Sequence, residues 1–407
     1  MSNKRKIFND PVYGFFSFPH DVLYDLIDHP YFQRLRRIKQ MGFSEYIYPG
    51  AVHTRFHHAL GALHLMTQAI DVLRSKAVDI STAESEAVCI AILLHDIGHG
   101  PYSHALEGKL IAVHHEELSV MIMQKLNQEF NGKLDLALQI FQNKYSKKYL
   151  YQLVSGQLDM DRMDYLNRDS YFTGVAEGVI GYERIIKMLN VINNQLVVEE
   201  KGIYSIEKFL MARRIMYWQV YLHKTSIAIE KMLVLFFKLL KENFEELDKS
   251  RFSAPLTYII ENSNTNTTQS SIQNGQDLLE NYLNLDDIDI MSAIKYCEKC
   301  NIRLLAYVAS GILNRNLFKI KMSKTEFASD LIVDIRQKIV SILGYSPTQS
   351  EQLTILGYET NQAYSASKNE ILIQMKTEDV KGLSEVTDFH LDDNIIVKHY
   401  FVYPKNL

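Results

Sequence analysis

The sequence predicts a mainly α-helical protein with a small α+β part at its C-terminal end. Apolar residues recur at helical spacing through residues 55–76, which predicts an amphipathic helix. Residues 84–97 are apolar nearly all round, which is typical of a helix buried at the centre of a bundle. After about Thr348 the pattern changes, and residues 371–376 and 394–403 predict strands. We therefore expect a helical body followed by a smaller mixed region.

The remaining elements are predicted from the same periodicity. Further helices are expected at about 116–130, 148–170, 182–192, 205–246, 290–300 and 326–343. Asn262–Gly275 is rich in Asn, Thr, Ser and Gln, which predicts a loop between helices, because the helical pattern resumes directly after it. We expect one domain over residues 1–250 and a second, helical and α+β region over residues 251–407.

Composition and charge limit the class of protein. The chain has 407 residues, 47% of them apolar, which is enough for a sizeable core and for two or three domains. The formal net charge of -4 argues against a surface built mainly for nucleic acid, so nucleic acid is not indicated as a partner. The first residues have no apolar run behind their charges, and no apolar stretch approaches the ~20 residues that span a bilayer. We expect neither a secretory signal nor a membrane partner.

The three cysteines favour a reducing compartment. Cys89, Cys297 and Cys300 are too few for a disulfide framework. Cys297 and Cys300 form a lone CxxC without the second pair of ligands that a structural zinc normally needs, and we interpret the pair as incidental. A cytoplasmic protein is expected.

A cluster of histidine and aspartate residues predicts a metal site. His95-Asp96 stands at the end of the apolar helix, and a helix end lets two adjacent side chains straddle one ion. An imidazole and a carboxylate together suit a divalent first-row metal. His99 and His104 follow within ten positions, and burying so many ionisable groups is costly without a metal or a charge partner.

Two further ligands remain open on this reasoning. The preceding helix offers His53, His57, His58 and His64. The acidic segment 158–164 offers Asp159 and Asp161, which fall on different helix faces, so at most one is expected to point into the core.

Seven blocks of sequence carry a resemblance to a known family. They are Lys6–Pro11, Phe32–Gly42, Tyr48–Gly61, Leu94–His104, His115–Ser119, Asp159–Asp169 and Tyr221–Lys224. In this order and spacing they resemble the HD superfamily, and within it the deoxynucleoside triphosphate triphosphohydrolases (dNTPases) of vertebrates and bacteria. The resemblance implies an HD-domain helical bundle over residues 1–250 with an N-terminal regulatory segment, and a C-terminal region that serves oligomerisation.

The resemblance also implies the ligands of the metal. In the family's Arg-Phe-x-His block the ligand is the second histidine, which is His58 and not His57, and the acidic ligand falls on Asp161. The implied set is therefore His58, His95, Asp96 and Asp161. The metal would be Mn, Fe, Zn, Ni or Mg, with Mg on the substrate phosphates as well.

Catalytic roles follow for residues near this set. A histidine pKa near neutrality suits proton transfer, and the resemblance implies that His104 is the general acid. Glu107 stands where relatives commonly carry an aspartate, and a longer carboxylate can still orient a histidine. His99 and His115 would contact phosphate or a second ion. Phosphate clamps are expected at Arg55, Arg162 and Arg213, because guanidinium binds phosphate oxygens bidentately.

A second group of residues would select the sugar. Gln40 and Asp169 match positions that hydrogen-bond a 3′-hydroxyl, and Tyr165 and Tyr221 match aromatics that leave no room for a 2′-hydroxyl. Tyr217 stands where relatives often have a histidine and would contact phosphate or base.

Regulation is the last expectation from the resemblance. Lys6, Asp28, Gln33 and Arg36 match positions that bind an activating nucleotide at a subunit interface. A second regulatory pocket is only partly kept, since Glu199 stands where a phosphate-binding arginine is expected. Its matching residues are Arg184, Lys201 and Lys224. A homo-oligomer, either a dimer or a tetramer, is expected.

The function expected is metal-dependent hydrolysis of a dNTP to a deoxynucleoside and inorganic triphosphate, activated by a nucleotide. The alternatives are an HD nucleotidase or phosphodiesterase, which has no need of the sugar-selecting residues, and a nucleotide- or nucleic-acid-binding regulator with vestigial catalysis. The sequence leaves open the preferred base and the native metal. It also leaves open whether such an enzyme trims dNTP pools or starves an invading phage.

Overall fold

The described part of the chain comprises residues 6–262, 276–361, 370–388 and 395–407 of a computed structural model. The predicted loop Asn262–Gly275 lies outside it apart from its first residue, and so does Asn394 of the last predicted strand. The architecture is mainly helical with small sheets, which confirms the predicted fold class.

Helices dominate the first 262 residues. In chain order they are α1 (Asp21–Asp28), α2 (Pro30–Gln33), α3 (Arg55–Ser75), α4 (Thr82–Leu94), α5 (Ser103–Leu106), α6 (His115–Glu129), α7 (Asp135–Phe141), α8 (Lys148–Val154), α9 (Met160–Thr173), α10 (Tyr182–Met188), α11 (Ile203–Met216), α12 (Lys224–Glu242) and α13 (Ala254–Asn262). The later helices are α14 (Gln276–Leu283), α15 (Asp287–Cys297), α16 (Arg303–Leu313), α17 (Ser329–Leu343), α18 (Pro347–Gln352) and α19 (Leu383–Val386).

Helix α4 lies at the centre of the bundle, as its composition predicts. Ser81 accepts a hydrogen bond from the Glu84 amide at 3.2 Å, and the Glu84 carboxylate accepts one from the Ser81 amide at 2.8 Å. This capping box starts the helix. The last seven residues of α4, from Val88 to Leu94, have no solvent exposure. Because α4 ends at Leu94, His95 and Asp96 emerge from the centre of the protein.

Nine short strands form three sheets. The strands are β1 (Phe8–Asp10), β2 (Gly14–Phe16), β3 (Leu189–Ile192), β4 (Gln195–Glu199), β5 (Lys319–Ser323), β6 (Ile355–Asn361), β7 (Leu372–Gln374), β8 (Val380–Gly382) and β9 (Ile396–Tyr403), counted over the described residues. Their sheet orders are β1-β2, β3-β4-β7-β8 and β5-β9-β6. Strand β7 pairs in parallel with β4, so residues 372–374 share a sheet with residues 195–199.

Three predicted helices are wrong at their ends or interiors. The predicted helix 182–192 ends at Met188, and its last four residues are β3. Asn193 and Asn194 both have positive φ, 51° and 64°, and this two-residue turn closes a hairpin onto β4. Asparagine tolerates that conformation better than most residues, so the Asn-Asn pair was the signal that the helical reading missed.

The other two long predictions are interrupted. The expected helix 148–170 breaks after Val154, because Asp159 caps a new helix by accepting the Arg162 amide at 2.7 Å. The expected helix 205–246 ends as α-helix at Met216, continues as one π-helical turn, and restarts after His223.

Several elements were not predicted, and they are mostly short. They are helices α1, α2, α5, α7, α13, α14, α16, α18 and α19 and strands β1, β2, β4, β5, β6 and β8. No described helix is long and apolar enough to cross a membrane.

Candidate active site

Three side chains from three helices converge at the end of α4. The His58 Nε2 atom lies 3.3 Å from His95 Nε2 and 3.1 Å from Asp161 Oδ1. His95 Nε2 lies 3.5 Å from the same Asp161 oxygen. We call His58, His95 and Asp161 the metal cluster, because their ligand atoms lie within 4.8 Å of one another and a metal ion fits among them.

The far side of His58 is held by a buried carboxylate. His58 Nδ1 donates to Asp164 Oδ2 at 2.7 Å, and Arg168 donates to both oxygens of Asp164 at 2.9 and 3.0 Å. Arg168 also donates to Asp10 at 2.8 Å. Gly61 permits this approach of α3 to α9, since a Cβ there would lie 2.0 Å from an Asp164 oxygen. Such a carboxylate is the usual outer partner of a metal-binding histidine.

The hydrogen bonds orient both histidines as metal ligands. His95 Nδ1 donates to the Ile92 carbonyl at 2.6 Å, so its Nε2, like that of His58, is left to bind either a proton or a metal ion. Two lone pairs 3.3 Å apart would repel, so a cation, either a proton or a metal ion, belongs between them. Burial alone would lower the pKa of His58, but hydrogen bonds to Asp161 and Asp164 raise it to about 10. The field of the site therefore favours positive charge, and the residues present fit a divalent metal.

Asp96 borders the metal cluster and connects it to an arginine. Its Oδ1 lies 3.4 Å from His95 Nε2, and its Oδ2 accepts from Arg55 at 2.6 Å. Arg55 also donates to Ser103 Oγ at 2.7 Å. Burial raises the pKa of Asp96, but His95, His99 and Arg55 outweigh it and hold the pKa well below its usual value. Asp96 is thus ionised and available to a metal.

The predicted phosphate histidines stack beside Asp96. The rings of His99 and His115 lie 4.0 Å apart, and His99 Nε2 is 3.2 Å from Asp96 Oδ1. Burial and the nearby Arg55 lower the pKa of His99 to about 3. Glu107 accepts from His115 Nδ1 at 2.5 Å, so among the described contacts it orients His115 and not His104.

His104 lies near the phosphate histidines. Part of its surface is exposed, and its ring lies 6.3 Å from that of His99. Desolvation by the residues packed around the ring and the charge of Arg55 lower its pKa to about 4. The ring is therefore neutral in the free protein at neutral pH.

The predicted sugar-selecting residues form one connected group. Tyr221 donates to Asp169 Oδ2 at 2.8 Å, and the rings of Tyr165 and Tyr221 lie 6.1 Å apart, edge to face. His53 Nε2 lies 2.7 Å from Asp169 Oδ1. The backbone amide of Gln40 donates to the His53 backbone carbonyl at 3.0 Å. His53 was considered only as a metal ligand, and its role beside Asp169 has no signal in the local sequence.

The two remaining predicted phosphate clamps have protein partners. Arg162 pairs with Asp159 and the Gly156 carbonyl. Asp159 is fully buried beneath it, whereas the Asp161 side chain in the metal cluster is 29% exposed. Arg213 donates to Gln157 at 3.1 Å and lies 5.9 Å from the ring of Tyr217.

Unsatisfied polar atoms concentrate in this region. Five of the eight buried side-chain atoms without a hydrogen-bond partner in the described residues belong to these groups. They are Gln40 Oε1, His53 Nδ1, Arg55 Nε, His99 Nδ1 and Arg213 Nε. Buried polar groups are normally satisfied, so this concentration indicates a polar ligand.

The predicted activator residues form a surface group, which we call the N-terminal cluster: Lys6, Asp28, Gln33 and Arg36. Lys6 pairs with Asp28, and Arg36 Nε donates to Gln33 at 2.8 Å. Arg36 also lies over the Phe56 ring at 3.5 Å. Burial lowers the pKa of Arg36 and the charge of nearby Asp28 opposes this, so the two pairs are neighbours.

The second regulatory set is less complete. Arg184 donates to the Lys201 carbonyl at 2.9 Å, and Glu199 pairs with Lys76 at 2.6 Å. Among the described contacts, none joins Lys224 to these residues.

Comparisons with known proteins agree with this geometry. The chain matches the model of the HD domain over residues 55–169 and that of the HD-associated region over residues 180–255. It is 32% identical over 324 residues to the uncharacterized protein YwfO of Bacillus subtilis, covering 78% of this chain and 72% of the relative. It is 28% identical over 359 residues to the human deoxynucleoside triphosphate triphosphohydrolase SAMHD1, covering 77% of this chain and 54% of the human protein.

A solved structure matches the fold over nearly the whole chain. The crystal structure of a phosphohydrolase from Bacteroides thetaiotaomicron is 46% identical and superposes with a TM-score of 0.94, covering 98% of this chain and all of that one. Fold, metal cluster and relatives define a hydrolase of the HD superfamily. The chain belongs to the HD-domain phosphohydrolases.

Proposed function

We propose that this chain is a dNTP triphosphohydrolase, which cleaves a dNTP to a deoxynucleoside and inorganic triphosphate. The observation that carries the proposal is that two groups share one face of α9, because Asp161, Tyr165 and Asp169 follow one another at four-residue intervals. The metal cluster suits phosphate chemistry, and the group of Gln40, Asp169 and Tyr221 suits a deoxyribose. Human SAMHD1, a relative over 77% of this chain, has this activity in its name.

His58, His95, Asp96 and Asp161 would hold the metal. A bound divalent metal lowers the pKa of a water ligand and polarises a phosphoryl oxygen. Two neutral imidazoles and two carboxylates suit Mn²⁺, Fe²⁺, Zn²⁺ or Ni²⁺, with Mg²⁺ favoured on the substrate's phosphates.

Arg55, His99 and His115 would bind the triphosphate. Phosphoryl transfer depends mainly on positioning and on neutralising charge. The unpartnered Arg55 Nε and His99 Nδ1 are buried donors or acceptors that phosphate oxygens would satisfy. Arg162 and Arg213 lie close enough to Tyr165 for their charges to lower its pKa against the effect of burial, and each would exchange a protein partner for phosphate.

His104 would protonate the departing 5′-oxygen. Its pKa of about 4 in the free protein keeps the ring neutral at pH 7. A bound triphosphate brings several negative charges beside the ring and offsets Arg55, so the proton would be taken up as the substrate binds. The acid would then be present where the P–O bond breaks.

The sugar would be held by Gln40 and Asp169. Gln40 Oε1 is buried without a partner and would accept a hydrogen bond from the 3′-hydroxyl. Asp169 is oriented by both His53 and Tyr221, and the Tyr165 and Tyr221 rings would exclude a 2′-hydroxyl by contact.

An activating nucleotide would bind at the N-terminal cluster. Asp28 offers a carboxylate to a base edge, while Lys6 and Arg36 offer positive charge to phosphates. We include in the proposal a homo-oligomer, a dimer or tetramer, whose assembly or ordering this nucleotide promotes, with residues 251–407 as the oligomerising region.

Product analysis tests the proposal. The purified protein is incubated with each dNTP and Mn²⁺ or Mg²⁺, with and without a second nucleotide, and products are separated by anion exchange. We expect deoxynucleoside and triphosphate in equal amounts. Orthophosphate, dNDP or dNMP as the primary product would contradict the proposal and identify a nucleotidase.

A further inference from the structure

Asp287 is a buried carboxylate outside the matched family models whose two oxygens hold two different active-site loops. Its Oδ1 accepts from the Tyr102 amide at 3.0 Å, and its Oδ2 accepts from the Lys39 amide at 2.8 Å. It is 5% exposed and is the first residue of α15, in the C-terminal region. A carboxylate that accepts hydrogen bonds from two backbone amides makes strong, directional contacts.

The loop that contacts Asp287 Oδ1 through Tyr102 also carries His104, the proposed general acid. Tyr102 has a left-handed backbone, with φ 45° and ψ 43°, which costs a bulky residue about 1–3 kcal/mol unless its surroundings hold it. The Asp287 bond and a stacked contact with Phe43 at 4.3 Å hold it there. Ser103 and His104 follow directly, so the direction of His104 depends on this turn.

The loop that contacts Asp287 Oδ2 through Lys39 also carries Gln40, the proposed sugar contact. Lys39 precedes Gln40, whose backbone amide donates to the His53 backbone carbonyl at 3.0 Å. The Asp287 bond at Lys39 and the His53 bond at Gln40 therefore hold consecutive residues of one loop from two sides. Burial raises the pKa of Asp287 to about 6, although the hydrogen bonds from the two backbone amides act in the opposite direction. Keeping the carboxylate ionised in this buried place therefore costs free energy.

We propose that Asp287 is a positioning residue that sets Gln40 and His104 in register, so that the 3′-hydroxyl and the 5′-oxygen of one nucleotide are engaged together. The inference rests on the proposed function for the identity of the substrate. It assigns to the C-terminal region a part in catalysis beyond any part in oligomerisation.

Asp286 is a matched control for this carboxylate. It caps the same helix by accepting the Ile288 amide at 2.9 Å, and it pairs with Arg37. It contacts neither Tyr102 nor Lys39 in the described structure. Asp286→Asn therefore perturbs the same segment and its stability while it leaves both loops attached.

The test compares Asp287→Ala, Asp287→Asn and Asp286→Asn, each assayed well below its unfolding midpoint. Misplacing a reacting group by about 1 Å costs roughly 10²-fold, so Asp287→Ala should lower kcat by about 10- to 100-fold. The preference for a dNTP over the 2′,3′-dideoxy analogue, measured as a ratio of kcat/KM, should also fall. Asp287→Asn keeps one acceptor and should lie between, and it decides the test if the alanine variant does not fold.

Asp286→Asn should leave kcat and the dideoxy ratio within about twofold. Equal losses of kcat in both asparagine variants, or a lower unfolding midpoint for Asp287→Asn with unchanged kcat, would show that Asp287 only stabilises the fold. If the wild type hydrolyses another phosphate ester and no dNTP, the proposed function fails alone, and kcat on that ester still tests the positioning of His104.

Discussion

The metal cluster and the N-terminal cluster are both groups of charged residues, and they differ in burial. The His58 side chain has no exposure, whereas Lys6 and Asp28 are 53% and 57% exposed. Burying a charge costs several kcal/mol unless partners surround it, whereas an exposed ion pair contributes only about 0–1 kcal/mol. A function must therefore offset the cost of burying the charges of the metal cluster, whereas the exposed charges of the N-terminal cluster cost little.

The largest effect is expected from removing a metal ligand. Asp96→Ala or His58→Ala should lose the bound metal and at least about 10³-fold of turnover, because the metal supplies several kcal/mol of charge stabilisation. Helical circular dichroism should be kept. Asp71→Ala, an exposed change on the same helix as His58, is the control. Full metal occupancy in both ligand variants, measured by elemental analysis, would refute the ligand assignment.

A smaller loss should follow from the carboxylate behind His58. Asp164→Asn should weaken metal affinity by about 10- to 100-fold, because the amide no longer fixes the His58 tautomer as firmly. Metal affinity is measured by competition with a chelator. Asp10→Asn is the matched control, since Asp10 also accepts from Arg168 but does not contact His58. Equal affinities for the two variants would mean that Asp164 merely neutralises Arg168.

These two experiments separate what the sequence predicted from what it did not. His95-Asp96 could be predicted because an apolar helix ending in charged residues is informative on its own. Asp164 could not, because its partner His58 is 106 residues away and an acidic residue on a polar helix is usually solvated. The same limit applies to Asp287, which contacts Tyr102 across 185 residues.

Two local features of the sequence indicate structure that the helical periodicity does not: the helix cap at Asp159 and the turn at Asn193 and Asn194. Asp159 caps the start of a helix by contacting Arg162, three residues further on. Because aspartate is a preferred N-cap residue, this local pattern indicates a structural role and removes Asp159 from the ligand candidates. The β3–β4 hairpin was read as helix because Leu189–Ile192 continues an apolar pattern, while the turn at Asn193 and Asn194 lies just beyond it.

The sugar group includes buried side chains, as the metal cluster does, but it acts on substrate choice, so we expect an intermediate effect. Tyr221→Ala should reduce the preference for dNTPs over rNTPs, which steric exclusion can raise to only about 10²-fold. Tyr221→Phe keeps the ring but removes the hydroxyl that donates to Asp169, so it should keep most of that preference. The ratio of kcat/KM for dATP and ATP measures it. Equal values for the wild type would contradict the steric gate.

The smallest effect is expected at the N-terminal cluster. Arg36→Ala should weaken nucleotide activation, seen as a lag or a sigmoidal rate curve relieved by a second nucleotide, and should leave the metal bound. Activation requires the nucleotide to prefer the active state. Arg251→Ala, an exposed arginine with a local partner, is the control. Hyperbolic kinetics from a strict monomer, unchanged by any nucleotide, would show that these residues are only surface charges.

The bond that breaks is the most direct test of the account. Hydrolysis of a dNTP in ¹⁸O-labelled water, followed by mass spectrometry of both products, reports which atom water attacks. Attack at the α-phosphorus with His104 protonating the 5′-oxygen predicts one ¹⁸O atom in the triphosphate and none in the deoxynucleoside. Label in the deoxynucleoside, or label in orthophosphate released from the γ-position, would contradict it.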